Sequence, residues 1–172
     1  RGLMELIEAM DQVPPEGVLV VQGEGNALAQ VRERVTQLGL EQRVHLMGHQ
    51  PPESLHEYAC GADVGVAMYQ AGTLNNYLAT PNKLFAYLMA GLPIVSSAFP
   101  GLSAVVEGER VGFTFDPKDP HGIASAMGEL LDDAARRTCA ERARRIAENE
   151  LNWEKESRRL CELYEQLARV NK

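Results

Sequence analysis

Residues 80–97 read TPNKLFAYLMAGLPIVSS and contain one complete helix-to-strand unit. Apolar side chains recur there at helical spacing, at Leu84, Phe85, Leu88 and Met89. This spacing predicts an amphipathic helix over residues 81–90. The Gly-Leu-Pro sequence at 91–93 interrupts that helix, and the run IVSS at 94–97, which begins with two β-branched residues, predicts a buried strand. A helix followed by a short buried strand is the repeating unit of a parallel α/β sheet.

The same alternation extends in both directions from this unit. Further strands are predicted at residues 18–21, 44–47, 63–68 and 112–115, and helices at 2–10, 26–38, 52–60, 119–131, 134–149 and 153–170, with a polar loop at 70–79. The run at 18–21 is continuously apolar, so we expect that strand to be buried on both faces. The pattern predicts one α/β domain over residues 1–172, with helices on both faces of a parallel sheet. Such domains normally begin with a central strand, so we expect the chain to be truncated at its N-terminus.

The composition excludes several classes of protein. Of the 172 residues, 45% are hydrophobic and 24% charged, which is ordinary for a globular chain. The net charge of −7 argues against a nucleic-acid partner. The cysteines Cys60, Cys139 and Cys161 are far apart, and neither they nor the histidines have the spacing of a metal site. Without an apolar run long enough to span a membrane, we expect a soluble cytoplasmic protein whose membrane association, if any, comes through a longer protein.

Two loops that follow predicted strands have unusual sequences, and ligands of open parallel sheets bind beyond such strand ends. In QGEGN at 22–26, Gly23 and Gly25 allow a ligand to approach the backbone, although Leu28 replaces the third glycine of a dinucleotide fingerprint and a plain tight turn remains open. His49 and Gln50 could hydrogen-bond a heterocycle, and a solvated loop is an equal alternative.

A third loop, at the start of the 81–90 helix, is the most informative. Thr80 is a suitable N-cap, and Pro81 suits the first turn because it has no N–H to leave unpaired. The backbone amides of Asn82, Lys83 and Leu84 would then lie at the positive end of the helix dipole, with the Lys83 ammonium beside them. These features predict an anion site, for example for a diphosphate. An ordinary capped core helix is the alternative.

Several motifs occur together in a fixed order: RG before a helix at 1–10, VVQGEG at 20–25, RVHLMG at 43–48, YACGADV at 58–64, PNKLFxYLMAGLP at 81–93 and NWE at 152–154. Over nearly the whole chain, this combination resembles the C-terminal donor-binding domain of group-one (family-four) glycosyltransferases. The resemblance implies one half of a GT-B fold, in which two Rossmann-like three-layer αβα domains face a cleft. It also implies glycosyl transfer with retention of configuration, a nucleotide-sugar donor as substrate, and no metal or other cofactor.

The resemblance also implies roles for individual residues. Arg1, Gly23, Gly25 and the amides of Asn82 to Leu84 would receive the donor diphosphate. His49 and Gln50 would border the nucleobase, and Asn75, Asn76 and Tyr77 would face the sugar. Residues 151–170 correspond to the closing helix of the family. The acceptor site and the catalytic residues belong to an N-terminal domain, so the catalytic residues are unknown here and we expect this chain alone to be inactive.

One departure from the family pattern concerns the ribose. The family's glutamate that binds the ribose hydroxyls falls on Ala86, and the glutamate eight residues before it falls on Leu78. We therefore expect reduced donor affinity. The leading hypothesis is a donor-binding domain of a glycosyltransferase, of hexosyltransferase type, for polysaccharide or glycoconjugate synthesis. The alternatives are a degenerate non-catalytic binding domain and a sugar-nucleotide 2-epimerase.

Overall fold

The structure is a computed structural model that describes residues 2–170, with alternating helices and strands. The strands are β1 (Leu19–Gln22), β2 (Val44–Gly48), β3 (Gly65–Ala67), β4 (Ile94–Ser97) and β5 (Gly112–Phe115). The helices are α1 (Leu3–Met10), α2 (Leu28–Gln37), α3 (Leu55–Cys60), α4 (Leu74–Leu78), α5 (Asn82–Met89), α6 (Pro100–Val106), α7 (Pro120–Glu129), α8 (Asp133–Asn149) and α9 (Trp153–Val170), and a 3₁₀ turn covers Pro52–Ser54.

Among residues 2–170 the strand pairings are all parallel, as predicted, and they form two sheets. One sheet pairs β1 with β2, and the other has the order β3-β4-β5. Leu19 lies opposite Val44 in the first sheet, and Val95 lies between Val66 and Phe113 in the second. The two sheets share one hydrophobic cluster, because Leu19 and Val95 both belong to it.

Two clusters of buried side chains define a three-layer arrangement. One cluster joins β1, β2, β4 and β5 to α1, α2 and α7, and the other joins β3 and β4 to α5, α6 and α8. Successive residues of a strand point to opposite faces, and on β4 Val95 enters the first cluster while Ile94 enters the second. Both side chains are fully buried. The expected α/β fold with parallel strands is therefore confirmed, and helices cover both faces of the β3-β4-β5 sheet.

The β1 strand is less buried than its sequence predicts. Leu19 is buried, but Val20 is 51% exposed and Val18, just before the strand, is 57% exposed. On the paired strand β2, Met47 is also exposed. The prediction of burial on both faces is therefore wrong: within residues 2–170, α1 and α2 cover one face of this sheet and no element covers the other to the same degree.

The segment at 70–79, predicted as a polar loop, contains the short helix α4. The hydroxyl of Thr73 accepts a hydrogen bond from the amide of Asn76 at 3.1 Å, which caps the first turn. Five residues show too little apolar periodicity to reveal a helix by pattern, so the helix depends on this local cap. Its last carbonyl lies against Gly101, where a Cβ would be 2.5 Å from the Leu78 oxygen.

The last helix carries an apolar stripe that faces solvent. Trp153, Leu160, Tyr164 and Leu167 of α9 are between 44% and 71% exposed. In the part of the chain that the structure describes, this stripe is not buried against the domain. The helix spans Trp153–Val170, as the sequence predicts.

Candidate functional site

A surface cleft of about 420 Å³ opens at the beginning of α5. Its walls come from three segments: Tyr69, which is the second residue after β3, the helix α4 with the residue after it, and the first turn of α5 with the proline before it. The lining residues are Tyr69, Asn75, Asn76, Ala79, Pro81, Asn82 and Lys83. The cleft therefore brings together the predicted anion-binding turn and two residues predicted to face the sugar.

The first turn of α5 begins one residue later than predicted. Pro81, with φ −77° and ψ 151°, is the extended N-cap residue, and no side chain caps the helix. The expectation that Thr80 is the N-cap is therefore wrong, because extended Pro81 separates it from the helix. The amide of Leu84 donates to the Pro81 carbonyl at 2.9 Å, so the expectation of a free amide at Leu84 is also wrong.

The features of the turn that would suit an anion are therefore confined to Asn82 and Lys83. The Asn82 amide makes no hydrogen bond within residues 2–170, and both residues are exposed on the cleft side of α5. The first turn of α5 contains no acidic residue, so the positive end of its dipole is not neutralised within the helix. The opposite face of α5 is anchored by Leu84 and Leu88, which are fully buried.

The ammonium of Lys83 lies over the ring of Tyr69. Its Nζ is 5.4 Å from the ring centroid, within the range of a cation–π interaction. The Tyr69 side chain is only 5% exposed, so the ring is fixed while Lys83 remains exposed above it. No Asp, Glu or His lines the cleft among the described residues, which leaves Lys83 as the charged group of its lining.

The residues predicted to face the sugar are placed differently from one another. Asn75 and Asn76 line the cleft. Tyr77 does not; its ring packs against Phe99, with centroids 5.2 Å apart and planes inclined by 57°. The helical period of α4 explains the difference, because adjacent residues of a helix point in different directions.

The predicted nucleobase and glycine residues form a second group at the ends of β1 and β2. The amide of Gly23 donates to the Gly48 carbonyl at 2.8 Å, and Gly23 has a φ of 133° that favours glycine. A Cβ on Gly23 or Gly25 would meet no atom within 4 Å, so the space beside this backbone is open. Within residues 2–170, no hydrogen bond joins this group to the cleft.

The side chain of Gln50 is held by its own segment. Its Nε2 donates to the Met47 carbonyl at 2.9 Å, and its Oε1 accepts from the Tyr58 hydroxyl at 3.3 Å. His49 is exposed. A base contact through Gln50 would therefore have to replace or share these hydrogen bonds, whereas His49 can turn toward a ligand.

The two positions of the missing glutamates are accessible. Ala86 is exposed and lies one turn beyond Asn82 and Lys83, at the spacings that place residues on one helix face. Leu78, at the end of α4, is 53% exposed. A carboxylate at position 86 would therefore lie on the same face of α5 as the cleft residues.

Arg1, predicted to contact the diphosphate, lies outside the described residues. Its neighbour Gly2, with a φ of 79°, lies close to the segment that leaves β3. A Cβ on Gly2 would be 2.8 Å from Met68 Cε and Cγ and 3.3 Å from Gln70 Cγ. These two residues flank Tyr69, so the start of α1 lies beside the segment that lines the cleft.

Neither a metal-binding cluster nor a membrane-spanning helix occurs among the described residues. No group of three or more His, Cys, Asp or Glu side chains among them could hold a metal ion. None of the helices in this part of the chain combines the length and apolar character that crossing a membrane requires.

Sequence reasoning missed Tyr69 as a site residue. It emphasised glycines, amides and a lysine, and Tyr69 is none of these. The rule that ligands bind beyond the carboxyl ends of parallel strands would have selected it, because it is the second residue after β3.

Solved structures share this fold. The chain superposes on sucrose-phosphate synthase from Thermosynechococcus elongatus with a TM-score of 0.81 and 28% identity, over 98% of this chain and 43% of that one. It also superposes on HepE of Anabaena, solved in complex with UDP-glucose, with a TM-score of 0.80 and 21% identity, over 94% of this chain and 44% of that one. These structural neighbours are GT-B glycosyltransferases, so the expected fold class is confirmed.

Sequence comparison identifies a family within this fold class. Residues 1–133 match the family described as glycosyl transferases group 1, and the chain belongs to that family. It is 31% identical to D-inositol 3-phosphate glycosyltransferase of Corynebacterium urealyticum, over 94% of this chain and 38% of that protein. It is 27% identical to the amylovoran biosynthesis glycosyltransferase AmsK of Erwinia amylovora, over 98% of this chain and 42% of that protein. The chain thus spans about two fifths of the length of these relatives.

Proposed function

We propose that this chain is the C-terminal, nucleotide-sugar donor-binding domain of a retaining glycosyltransferase of the hexosyltransferase type. Membership of the group 1 family and the short coverage of longer relatives support this reading. The single observation that carries it is the cleft at the start of α5, where the exposed turn of Asn82 and Lys83 faces the residues of α4. A nucleoside diphosphate would place its phosphates against this turn and its sugar toward Asn75 and Asn76.

The chemistry of the cleft suits binding and leaving-group stabilisation rather than proton transfer. In glycosyl transfer from a nucleotide sugar, negative charge develops on the departing diphosphate. A fixed cation and helix amides stabilise that charge without reorganising. The described lining offers no carboxylate or imidazole for acid–base work, which disfavours the 2-epimerase alternative. We propose that the acceptor site and the catalytic groups lie in a separate N-terminal domain, so this chain alone would bind a donor without turning it over.

The polysaccharide role and the cellular location are further parts of the proposal. AmsK is named for amylovoran biosynthesis, which supports polysaccharide or glycoconjugate synthesis as the process. Cys60, Cys139 and Cys161 are free thiols, which fits a reducing cytoplasm. No metal or cofactor is needed by the proposed donor site.

The test is a calorimetric titration of the chain with UDP, GDP, ADP and their sugar conjugates. We expect one nucleoside diphosphate to bind in preference to the other two, with its sugar conjugate binding in the same cleft. HepE is described with UDP-glucose, but its 21% identity supports the fold alone, so the titration must decide the base. An NMR titration with the same nucleotides locates the binding site, and chemical-shift changes confined to residues far from Asn82 and Lys83 would contradict the proposed site.

A second candidate function is a binding domain that has lost its donor site. The exposed Ala86 and Leu78 favour it, because neither can accept the hydrogen bonds of a ribose. Absence of any response in the titration would support this candidate and overturn the first.

A further inference from the structure

We propose that Ser97 is a positioning residue for the donor site, because its hydroxyl fixes the Tyr69 backbone and thereby holds the Tyr69 ring beneath the Lys83 ammonium. The expected effect of Ser97 on donor binding rests on the proposed function. Its effect on the positions of Tyr69 and Lys83 can be tested without any donor.

The Ser97 hydroxyl hydrogen-bonds the chain just beyond the point where the backbone ladder between β3 and β4 ends. The last paired residues are Ala67 and Ser96. Beyond them, the Ser97 hydroxyl accepts a hydrogen bond from the Tyr69 amide at 2.8 Å and donates one to the Tyr69 carbonyl at 2.8 Å. A hydroxyl has one proton and two lone pairs, so it can make both bonds at once. One side chain therefore satisfies both polar groups of the Tyr69 backbone.

The two hydrogen bonds between the Ser97 hydroxyl and the Tyr69 backbone are buried. Ser97 is fully buried and Tyr69 is 5% exposed. A buried amide or carbonyl that loses a hydrogen bond cannot readily replace it with water, so removing the Ser97 hydroxyl favours movement of this segment. Movement of the Tyr69 backbone would carry its ring away from Lys83, whose Nζ now lies 5.4 Å from the ring centroid.

Ser96 provides a matched control on the same strand. It is also a fully buried serine, and its hydroxyl contacts the Ser97 carbonyl at 3.5 Å rather than the Tyr69 segment. Removing the Ser96 hydroxyl therefore changes the core in a similar way without releasing Tyr69.

The first experiment is NMR of the ligand-free chain. Protons near an aromatic face are shifted upfield, so in the unmodified chain we expect upfield Lys83 Hε resonances that Tyr69→Leu abolishes. Ser97→Ala should move these resonances toward those of an exposed lysine and remove the exchange protection of the Tyr69 amide, whereas Ser96→Ala should leave both unchanged. A Ser97→Ala chain that keeps the upfield shift would overturn the proposal, as would an unmodified chain that lacks it.

If Ser97→Ala does not fold, the pair Ser97→Thr and Ser97→Val replaces it. The two substitutions are nearly equal in volume, and only threonine keeps the hydroxyl. The threonine variant should retain the Lys83 shift and the valine variant should lose it. Equal behaviour of the two variants would refute the role of the hydroxyl.

The second experiment uses the nucleoside diphosphate that binds best in the titration above. In a chain that keeps Lys83, Ser97→Ala should weaken the binding of this nucleotide severalfold. In a chain that already carries Lys83→Gln, Ser97→Ala should weaken binding no further. A general structural role would weaken binding equally in both backgrounds, so equal losses would overturn the proposal. If no nucleoside diphosphate binds the unmodified chain, the proposed function fails, and the ligand-free NMR still decides whether Ser97 positions Lys83.

Discussion

The substitution Ala86→Glu should tighten the binding of nucleoside diphosphates to this chain. Position 86 is exposed on α5, one turn beyond the Asn82 and Lys83 residues that line the cleft. A carboxylate there can accept hydrogen bonds from both hydroxyls of a ribose whose diphosphate lies on the first turn. The methyl group of alanine can accept neither, so the hydroxyls stay with water.

The expected gain follows from two opposing contributions. Two hydrogen bonds to a carboxylate contribute about 1.5 kcal/mol each, the low end of the charged range, because the position is exposed. Ordering the glutamate side chain costs about 1.5–2 kcal/mol. The difference of about 1–1.5 kcal/mol corresponds to binding that is about 5- to 12-fold tighter.

Isothermal titration calorimetry with a ribonucleotide and its 2′-deoxy analogue separates this mechanism from others. The Ala86→Glu chain should gain affinity for the ribonucleoside diphosphate and gain much less for the deoxy form, which has one hydroxyl fewer. Ala86→Gln, of equal size and without charge, is the matched control and should gain less. Unchanged affinity for the ribonucleotide, or an equal gain for the deoxy analogue, would refute the reasoning.

Three further predictions concern charge, packing and pH. Lys83→Gln should weaken nucleoside diphosphate binding by about 10-fold or more and reduce the dependence of binding on salt. Lys155→Gln on α9 makes the same charge change and should have neither effect. Calorimetry at two salt concentrations measures both. Gly65→Ala places a Cβ 2.6 Å from the Tyr87 ring, so urea unfolding should show a loss of about 1–3 kcal/mol, and an unchanged midpoint would contradict this packing. The pKa of Glu8 is lowered by its hydrogen bond to a guanidinium on α2, so its contribution to stability is present above the ordinary value of 4.5 and is lost as the pH falls below it. The stability difference between Glu8→Gln and the unmodified chain should therefore shrink in acid, and a constant difference would contradict this assignment.

The elements that sequence reasoning predicted best are those with a long periodic or continuous apolar pattern. The helix now seen as α5 and the strand β4 follow from the run at 80–97, because their buried residues repeat at the period of each structure. The helix α4 was missed, since five residues stabilised by the Thr73 cap contain no such repeat. The exposure of Val20 was also missed, because burial on the second face of a strand depends on which helices cover that face.

The parts of the candidate site that were predicted are those with a local sequence signature. The turn at Asn82 and Lys83 has a local signature, in which a proline precedes an amphipathic helix, and the structure places both residues in a cleft. The Leu84 amide was assigned wrongly because its bond to the Pro81 carbonyl depends on where the helix begins, and sequence patterns locate helix ends only to within a few residues. The resemblance implied that Tyr77 faces the sugar with Asn75 and Asn76, and in the structure its ring packs against Phe99.

The amphipathic character of α5 explains why a short helix can hold the site in place. Leu84 and Leu88 are fully buried between the sheet and the outer helices, and the hydroxyl of Tyr87 donates to the Val66 carbonyl at 3.4 Å. These contacts fix the rotation of the helix about its axis, so Lys83 must face outward over the cleft. A pattern of apolar residues that serves folding therefore also determines which residues can meet a ligand. The proposed contribution of Ser97 has no comparable pattern, because it acts through a contact between two residues, Tyr69 and Ser97, that are 28 positions apart in sequence.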